Sequence, residues 1–462
     1  MAIKDVLKVV LKRITPSKSE RGEFLHVLGM IERAADEVIK PHGLERTIAG
    51  SFIRDTWLAD KKEMDLFILF DVSSSRDVLE KIGLDVGKKI IKKLDGEYEV
   101  AYAEHPYVRG RVNGFSVDIV PCYRVESASK IKSAVDRTPF HNKYILENLK
   151  PKMSGEVRLT KQFCKSMDVY GSDIRTLGFS GYLCELLIIK YKTFKNLVNS
   201  AGEWKRGTFI DLESHCRFTS PLEQFKDQPL IVIDPTDPKR NVAASLSEEN
   251  FIKFVNMCRK FAEKPSARFF EIRKIALKKN ELRSFINGRG TELFVIEFER
   301  PKVVDDILWS QMRKTASRIT KLLKENGFDV LKYDVWSDER QSYLLFEMKR
   351  WLLPKLTRLM GPPVTAEKHS EEFRKKYKNC NIYSESGRWT VQVARKYRKA
   401  EVLLVDFLKR PEKMLVSEGI RSHIAESVAR NLMLLKTKDI ERLMTKNREL
   451  AVFLKKYFER GS

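Results

Sequence analysis

Apolar residues in the first forty positions recur at helical spacing. MAIKDVLKVVLKRI alternates apolar and basic residues on that period, and residues 21–40 carry Phe24, Leu25, Leu28, Ile31, Ala35 and Ile39 along one side, so amphipathic helices are predicted over 2–13 and 21–40. The pattern then changes to a strand over 63–70, EMDLFILF, whose two alternating sets both turn apolar after Asp65. Such a strand is covered on two faces. A helix is predicted over 77–93 and a strand over 98–103. In HPYVRGRVNGFSVDIVPCY, Asn113-Gly114 separates two alternating runs, and Asn-Gly suits a type I′ turn, which needs positive φ at both central residues. That hairpin puts Asp118 in its second strand. From 156 to about 260 the spacing is mainly helical. Ser180 is placed to cap a helix through GYLCELLIIKYKTFKNLV, a short apolar strand PLIVIDP intervenes, and Ser245 or Ser247 opens a helix at SEENFIKFVNMCRKF. From 291 a strand, a helix over about 303–326 and strands over 328–336 and 341–348 predict a β-α-β-β unit, followed by a basic tail with helices and a few aromatics.

Composition narrows the class. The chain of 462 residues is too long for one ordinary core, so two to four domains are expected. Its net charge is +24, with 32% charged residues. A field of that sign concentrates polyanions, nucleic acid first and an acidic membrane surface second. Residues 351–462 hold 25 Lys and Arg against 13 Asp and Glu, half of the excess in a quarter of the chain. A heat-adapted surface explains many charges but not their one-sided sign. Six cysteines, at 122, 164, 184, 216, 258 and 380, form no C-x-x-C pair and have no His at ligand spacing, which argues for reduced thiols and against zinc or a disulfide framework. No apolar run approaches the ~20 residues of a membrane span, and the N-terminus lacks a secretory pattern, so a cytoplasmic protein is expected.

The chemistry concentrates in GSFIRDTWLADKKEMDLFILF, residues 50–70. Glu63 and Asp65 share a strand face whose next members are Phe67 and Leu69, where a solvated face would carry polar residues. Two like charges at the edge of a low-dielectric region are costly unless a cation neutralises them, and Mg²⁺ takes one or two carboxylates while keeping places for water and phosphate oxygens. Asp118, between Val117 and Ile119, adds a third acid. By itself it reads first as a buried Asp paired with an Arg or a backbone amide. Three acids on neighbouring strands can hold two divalent ions about 3.5–4 Å apart, an arrangement for in-line displacement at phosphorus. A helix beginning at Ser51 offers free N–H groups to an anion, with Gly50 permitting close approach and Arg54 suiting a phosphate oxygen. A plain N-cap is the bland reading of that pair.

Gly50-Ser51, eleven residues, then Glu63-Met64-Asp65-Leu66 and a later strand acid resemble the signature of the DNA polymerase β-type nucleotidyltransferase superfamily. The stretches GSFIRDTWL, YAEHPYVRGRV, VDIVPCY, IKSAVDRTPFHNKY, LGFSGYLCELLI and DPTDPKRNVAASLS resemble, more narrowly, the archaeal-type (class I) CCA-adding enzymes, closely over about 40–260 and loosely to the end. Glu at 63 departs from the generic superfamily pattern and agrees with this family. The resemblance implies an α+β multidomain fold: a polymerase β-like head with a mixed sheet over 1–150, a helical neck recognising the nucleotide over 151–280, and over 281–462 an α/β body containing the β-α-β-β unit with a basic helical tail. It implies Glu63, Asp65 and Asp118 as the catalytic acids holding two Mg²⁺ ions, and Ser51 and Arg54 as triphosphate ligands. His141, Lys161 and Tyr170 match positions that contact phosphates and ribose, and Arg240 matches an arginine that presents hydrogen-bonding groups to the base. CTP, ATP and tRNA lacking all or part of its 3′ CCA are the implied substrates, and a homodimer is admitted.

Rival chemistries lack their marks. There is no G-x-x-x-x-G-K-[ST] loop, no G-x-G-x-x-G fingerprint and no G-x-S-x-G elbow around Ser180. A poly(A) polymerase or oligoadenylate-type synthase uses the same three acids, and only the narrower stretches speak against it. A non-catalytic RNA-binding protein on this scaffold has no need of all three acids on apolar strands.

Overall fold

A computed structural model describes residues 3–102, 104–216 and 222–459. The chain divides into two compact units, Met1–Arg273 and Lys274–Ser462.

The first unit opens with α1 (Ile3–Ile14) and α2 (Lys18–Ile39). The second helix starts earlier than its apolar period, because Ser17 and Glu20 form a reciprocal capping box: the Ser17 hydroxyl accepts from the Glu20 N–H and the Glu20 carboxylate from the Ser17 N–H at 2.7 Å. Its buried stripe includes Phe24, Leu28, Ile31, Ala35 and Ile39, but Leu25 faces solvent and Val27 and Ala34 take its place. Next come β1 (Glu45–Ala49), β2 (Glu63–Phe70), α3 (Arg76–Lys93), β3 (Glu97–Tyr102), β4 (Pro106–Val112) and β5 (Phe115–Tyr123). The strands form one sheet in the order β1-β2-β5-β4-β3, in which β2 and β5 are parallel and the other pairs antiparallel. Position 103, expected to end the third strand, lies outside the described residues, as does position 2 of the first helix. Asn113 and Gly114 both have positive φ, as a type I′ hairpin requires. Met64, Leu66, Ile68 and Phe70 of β2 and Val117 and Ile119 of β5 bury themselves against α2 and α3. On the opposite sheet face, Phe67, Val120 and Cys122 form a smaller apolar cluster with Ala49. The two-sided covering predicted for β2 is what places the acids of that second face at the border of an apolar patch.

A second core follows. The elements here are α4 (Thr138–Asn148), α5 (Ser154–Ser166), α6 (Gly181–Tyr191), α7 (Phe194–Ala201), β6 (Thr208–Ile210), α8 (Leu222–Phe225), β7 (Leu230–Asp234), β8 (Asp237–Asn241) and α9 (Glu248–Glu263), and all but α8 and β8 contribute to the core. Val6 and Val10 of α1 and Ile145 of α4 join this core. Ser180 caps α6, accepting from the Leu183 N–H at 3.0 Å, and Ser247 caps α9. The single helix expected from 181 onward is instead two: Lys192 takes φ +68° and Thr193 caps α7 by accepting from the Asn196 N–H.

The second unit contains α10 (Lys279–Arg289), β9 (Glu292–Glu299), α11 (Asp305–Glu325), β10 (Asp329–Ser337) and β11 (Gln341–Arg350). The predicted β-α-β-β unit is therefore present. The remainder is β12 (Leu356–Pro363), α12 (Glu367–Lys376), β13 (Asn381–Glu385), β14 (Arg388–Ala394), α13 (Ala400–Leu408), α14 (Glu412–Ser417), α15 (Ser422–Arg430), β15 (Leu432–Lys436), α16 (Thr437–Lys446) and α17 (Arg448–Glu459). The expected basic helical tail is accordingly only partly helical. A three-stranded antiparallel sheet, β12-β14-β13, and a strand β15 paired with the edge of β9 interrupt it. Among the described residues, no helix is long and apolar enough to cross a membrane.

Candidate active site

The parallel register of β2 and β5 sets Asp65 directly beside Asp118, and Glu63 beside Ser116. Across β1, Ala49 is the register partner of Asp65, so the chain turns at Gly50 against that carboxylate. Gly50 has φ +101°, and a Cβ there would stand 2.6 Å from Asp65 Oδ2, so any larger residue strains the backbone and displaces that carboxylate. Residues 51–55 do not begin a helix, contrary to the sequence expectation. They form a wound turn in which Ser51 O accepts from the Thr56 N–H at 2.8 Å and Phe52 O from the Asp55 N–H at 2.9 Å. Asp55 takes φ +51° and is held by two arginines, Arg21 on α2 at 2.6 Å and Arg158 on α5, which also donates to the Asp55 and Trp57 carbonyls. These external ties replace the hydrogen bonds that a helix would have supplied to the turn.

Electrostatics differ among the three acids. Burial, and then the neighbouring Asp118 and Glu63 charges, push Asp65 up to about 6, against the opposing pull of Arg54 and Lys61. Glu63 is exposed, and both its oxygens accept from Lys61 Nζ, at 2.9 and 3.1 Å. Asp118 is gripped by the fork of Arg109, its register partner on β4, with both N–H···O distances 2.8 Å. Among the described residues no three His, Cys, Asp or Glu side chains already stand in an arrangement that could hold a metal ion. Oxygen donors of this kind nonetheless suit a hard divalent cation, and the unrelieved crowding at Asp65 is a charge imbalance that such a cation removes.

Behind the turn lies a buried carboxylate that the sequence reading missed. Glu185 of α6, fully buried, faces Arg54 Nε at 3.1 Å and Lys161 Nζ at 3.2 Å, and accepts from the Thr56 hydroxyl. Burial opposes its ionisation, but Lys161, Arg54 and Thr56 outweigh burial and hold its pKa below the ordinary value. Lys161 is 1% exposed, with Nζ donating to Thr56 O, Thr56 Oγ1 and Glu185. It is not the solvated helix residue that the sequence allowed. Arg54 donates in addition to Asn142 Oδ1 at 3.0 Å, so α4 is tied to the turn. Tyr170 bridges to Phe179 beside the start of α6, with Lys61 Nζ 5.8 Å from its ring centre. Ser51 is half-buried next to Gly50.

His141, the neighbour of Asn142, and Arg240 converge on a second missed acid. Asp234, at the end of β7, is fully buried. His141 Nε2 lies 2.8 Å and Arg240 NH1 2.7 Å from Asp234 Oδ2, while Oδ1 accepts from the Thr236 N–H and hydroxyl at 2.9 and 2.8 Å and from Tyr182. Against the opposing effect of burial, these donors hold the Asp234 carboxyl well below the usual range. Burial pulls His141 down, so it sits as the neutral imidazole donating Nε2–H to the carboxylate. Its ring stacks on Tyr182 at 4.0 Å between centroids. The arrangement presents a fixed arginine, an imidazole edge and a phenol from three elements at one spot.

Comparison with known proteins identifies the family. Family models for a nucleotidyltransferase domain, a tRNA nucleotidyltransferase second domain and a CCA-adding enzyme C-terminal domain match residues 31–141, 155–271 and 289–436. The CCA-adding enzyme of Methanosarcina mazei is 38% identical, over 98% of both chains. That of Methanocaldococcus jannaschii is 40% identical over 83% of this chain and 87% of its own. A solved structure of the Cid1 poly(U) polymerase aligns with 59% of this chain and 98% of its own at 15% identity and a TM-score of 0.47, a likeness too low to carry weight. With all three parts matched and relatives aligned nearly end to end, this chain belongs to the CCA-adding enzymes, nucleotidyltransferases with a polymerase β-like head.

Proposed function

We propose that the chain adds C, C and A from CTP and ATP to the 3′ end of tRNA, without a nucleic-acid template, at the mouth formed by β2, β5 and the turn after β1. The side-by-side placement of Asp65 and Asp118 against the Gly50–Ser51 turn carries the nucleotidyl transfer, and membership of the CCA-adding family supports the choice of CTP, ATP and tRNA. In the reaction the tRNA 3′-hydroxyl oxygen bonds to the α-phosphorus, the α–β bridging bond breaks, and pyrophosphate leaves. Two Mg²⁺ ions held by Glu63, Asp65 and Asp118, when bound, supply the charge that activates the attacking oxygen and stabilises the leaving one.

The remaining roles belong to the chain's own groups. Ser51 and the backbone at Gly50 lie where a triphosphate can approach closely. Arg54 offers its guanidinium there, aimed by Glu185 and Asn142. Lys161 acts from beneath, fixing Thr56 and the turn rather than meeting substrate. Arg240, locked by Asp234, presents donors of fixed direction to the nucleotide, and His141, whose one N–H is given to Asp234, offers Nδ1 as an acceptor for a ribose hydroxyl, with Tyr170 beside Lys61. Residues 1–150 serve as the catalytic head, 151–280 as the nucleotide-recognising neck and 281–462 as the tRNA-binding body and tail, in the cytoplasm. In the last part Arg374, Lys375 and Lys378 border a groove with Trp389, chemistry suited to phosphates and to the shape of an A-form arm.

The test is direct. The protein is incubated with Mg²⁺ and tRNA lacking its 3′ end, with CTP and ATP singly and together, and the products are sequenced. Addition of C and C from CTP alone and of CCA from both is expected. Long A or U tails, or no extension, would overturn the reading.

A further inference from the structure

The three acids do not stand bare in this structure, and the way two of them are engaged bears on how a divalent ion enters. Arg109 and Asp118 face each other across the β4–β5 pair, and the guanidinium uses two N–H groups on the two carboxylate oxygens, each at 2.8 Å. A third interaction fixes the fork: Arg109 NH2 also donates to the Tyr107 hydroxyl at 2.8 Å, and the guanidinium carbon lies 5.6 Å from the Tyr107 ring centre. Lys61 does the same for Glu63 as a point charge, at 2.9 and 3.1 Å. Both cations come from residues close to the acids in the fold, and neither is trapped. The Arg109 side chain is 45% exposed and that of Lys61 34%.

We propose that Arg109, seconded by Lys61, is a built-in counter-cation of the acid mouth: it occupies Asp118 while the site lacks divalent ions and has to swing off that carboxylate before an ion can take it. The inference rests on the reading of the three acids as metal holders. An arginine cannot surrender its proton to make way, so release is a movement and not a titration. The exposure of Arg109 means that it can move into water without stranding a buried charge. The absence of a ready three-acid cage among the described residues fits the same picture, since two of the three carboxylates are engaged elsewhere. Filling the site with metal therefore means exchanging one cation for another. The repulsion between a divalent ion and a guanidinium about 5 Å away, even at the dielectric constant of water, weakens binding about tenfold. An anionic triphosphate offers the released guanidinium a new partner, so metal and nucleotide favour each other's binding, and reciprocally.

The experiment is a Mn²⁺ titration of the full chain, without nucleotide or tRNA, following free Mn²⁺ by electron paramagnetic resonance. Arg109→Gln keeps length and hydrogen bonding but removes the charge. It is expected to bind Mn²⁺ about tenfold more tightly than the unaltered protein. In an Asp118→Asn background the same change should have little effect, because the carboxylate in dispute is gone. If Arg109→Gln folds normally by circular dichroism yet binds Mn²⁺ no more tightly, or more weakly, Arg109 orients Asp118 instead and the inference fails. Should Arg109→Gln not fold, Arg109→Met, which fills similar space without a charge, is expected to tighten binding about tenfold, and equality with the unaltered protein overturns the inference. Failure of the underlying reading looks different: Asp65→Asn would then leave Mn²⁺ binding unchanged in every background.

Discussion

Glu185→Gln probes whether the buried carboxylate behind the turn governs both stability and nucleotide binding. The substitution keeps the shape and removes the charge. It leaves Lys161 Nζ, 2% side-chain exposed, and the Arg54 guanidinium, 10% exposed, facing an uncharged amide. Removing one partner of a buried ion pair typically costs about 3–5 kcal/mol, because the survivor stays desolvated without compensation. Here two cations share the one anion, which argues for the upper part of that range. For a unit the size of Met1–Arg273, the loss lowers the melting midpoint on the order of 6–10 °C. The assay is calorimetry of the metal-free chain, following the transition that belongs to the first unit, alongside the KM for CTP. Because Arg54 loses its aim, KM should rise together with the fall in stability. Adding Lys161→Met removes one stranded cation and should return part of the loss, a coupling of about 1–3 kcal/mol in the double-mutant cycle. Arg54 remains at the site, so KM should stay high. A cost below about 1 kcal/mol for Glu185→Gln, or strictly additive effects of the two changes, would refute the argument that this carboxylate holds the cluster together.

Asp65→Ala should abolish nucleotide addition while leaving tRNA affinity nearly unchanged by fluorescence anisotropy, and the metal-free variant should melt higher because the crowding with Asp118 and Glu63 is relieved. Gly50→Ala forces a side chain into φ +101° and to within 2.6 Å of Asp65 Oδ2, so a loss of about 1–3 kcal/mol and a fall in kcat are expected in melting and single-turnover assays. His141 has a folded pKa below its ordinary 6.5, so the folded chain binds fewer protons there than the unfolded one, and stability falls as pH drops through about 6.5 toward the folded value. His141→Asn should flatten that part of the melting-temperature profile between pH 7 and 5.

Elements were legible where one local signal sufficed. The doubly apolar alternation of EMDLFILF gave β2, and Asn113-Gly114 gave the hairpin. The start of α2 was also written locally, in Ser17 and Glu20, but the apolar period drew attention to residue 21 instead. The helix after Ser180 was misjudged because its apolar pattern continues through the break, while the signal for the break is the cap at Thr193. The turn at 51–55 could not be told from a helix start. What holds it as a turn comes from Arg21 and Arg158, outside the stretch.

The acids show where local reading ends. Asp65, Asp118, Glu185 and Asp234 all stand in apolar runs, in EMDLFILF, FSVDIVP, LCELLI and LIVID, so one sequence signal marks all four. Yet the signal alone does not sort them, because a buried carboxylate is defined by the cations and hydrogen-bond donors that reach it. Glu185 receives Arg54 and Lys161, the latter 24 positions away, and Asp234 receives His141 from 93 positions away together with Arg240. Both are held ionised by cations and donors packed around them, and their work is to aim those groups. Asp65 has two carboxylates as neighbours and a raised pKa, so its charge is left for something outside the chain to balance. Asp118 stands between the two cases, satisfied by an arginine exposed enough to leave. An acid neutralised by buried cations is a positioning group, whereas one crowded by other acids is a site for a cation from solution. Asp118 belongs with the second kind only if Arg109 lets go.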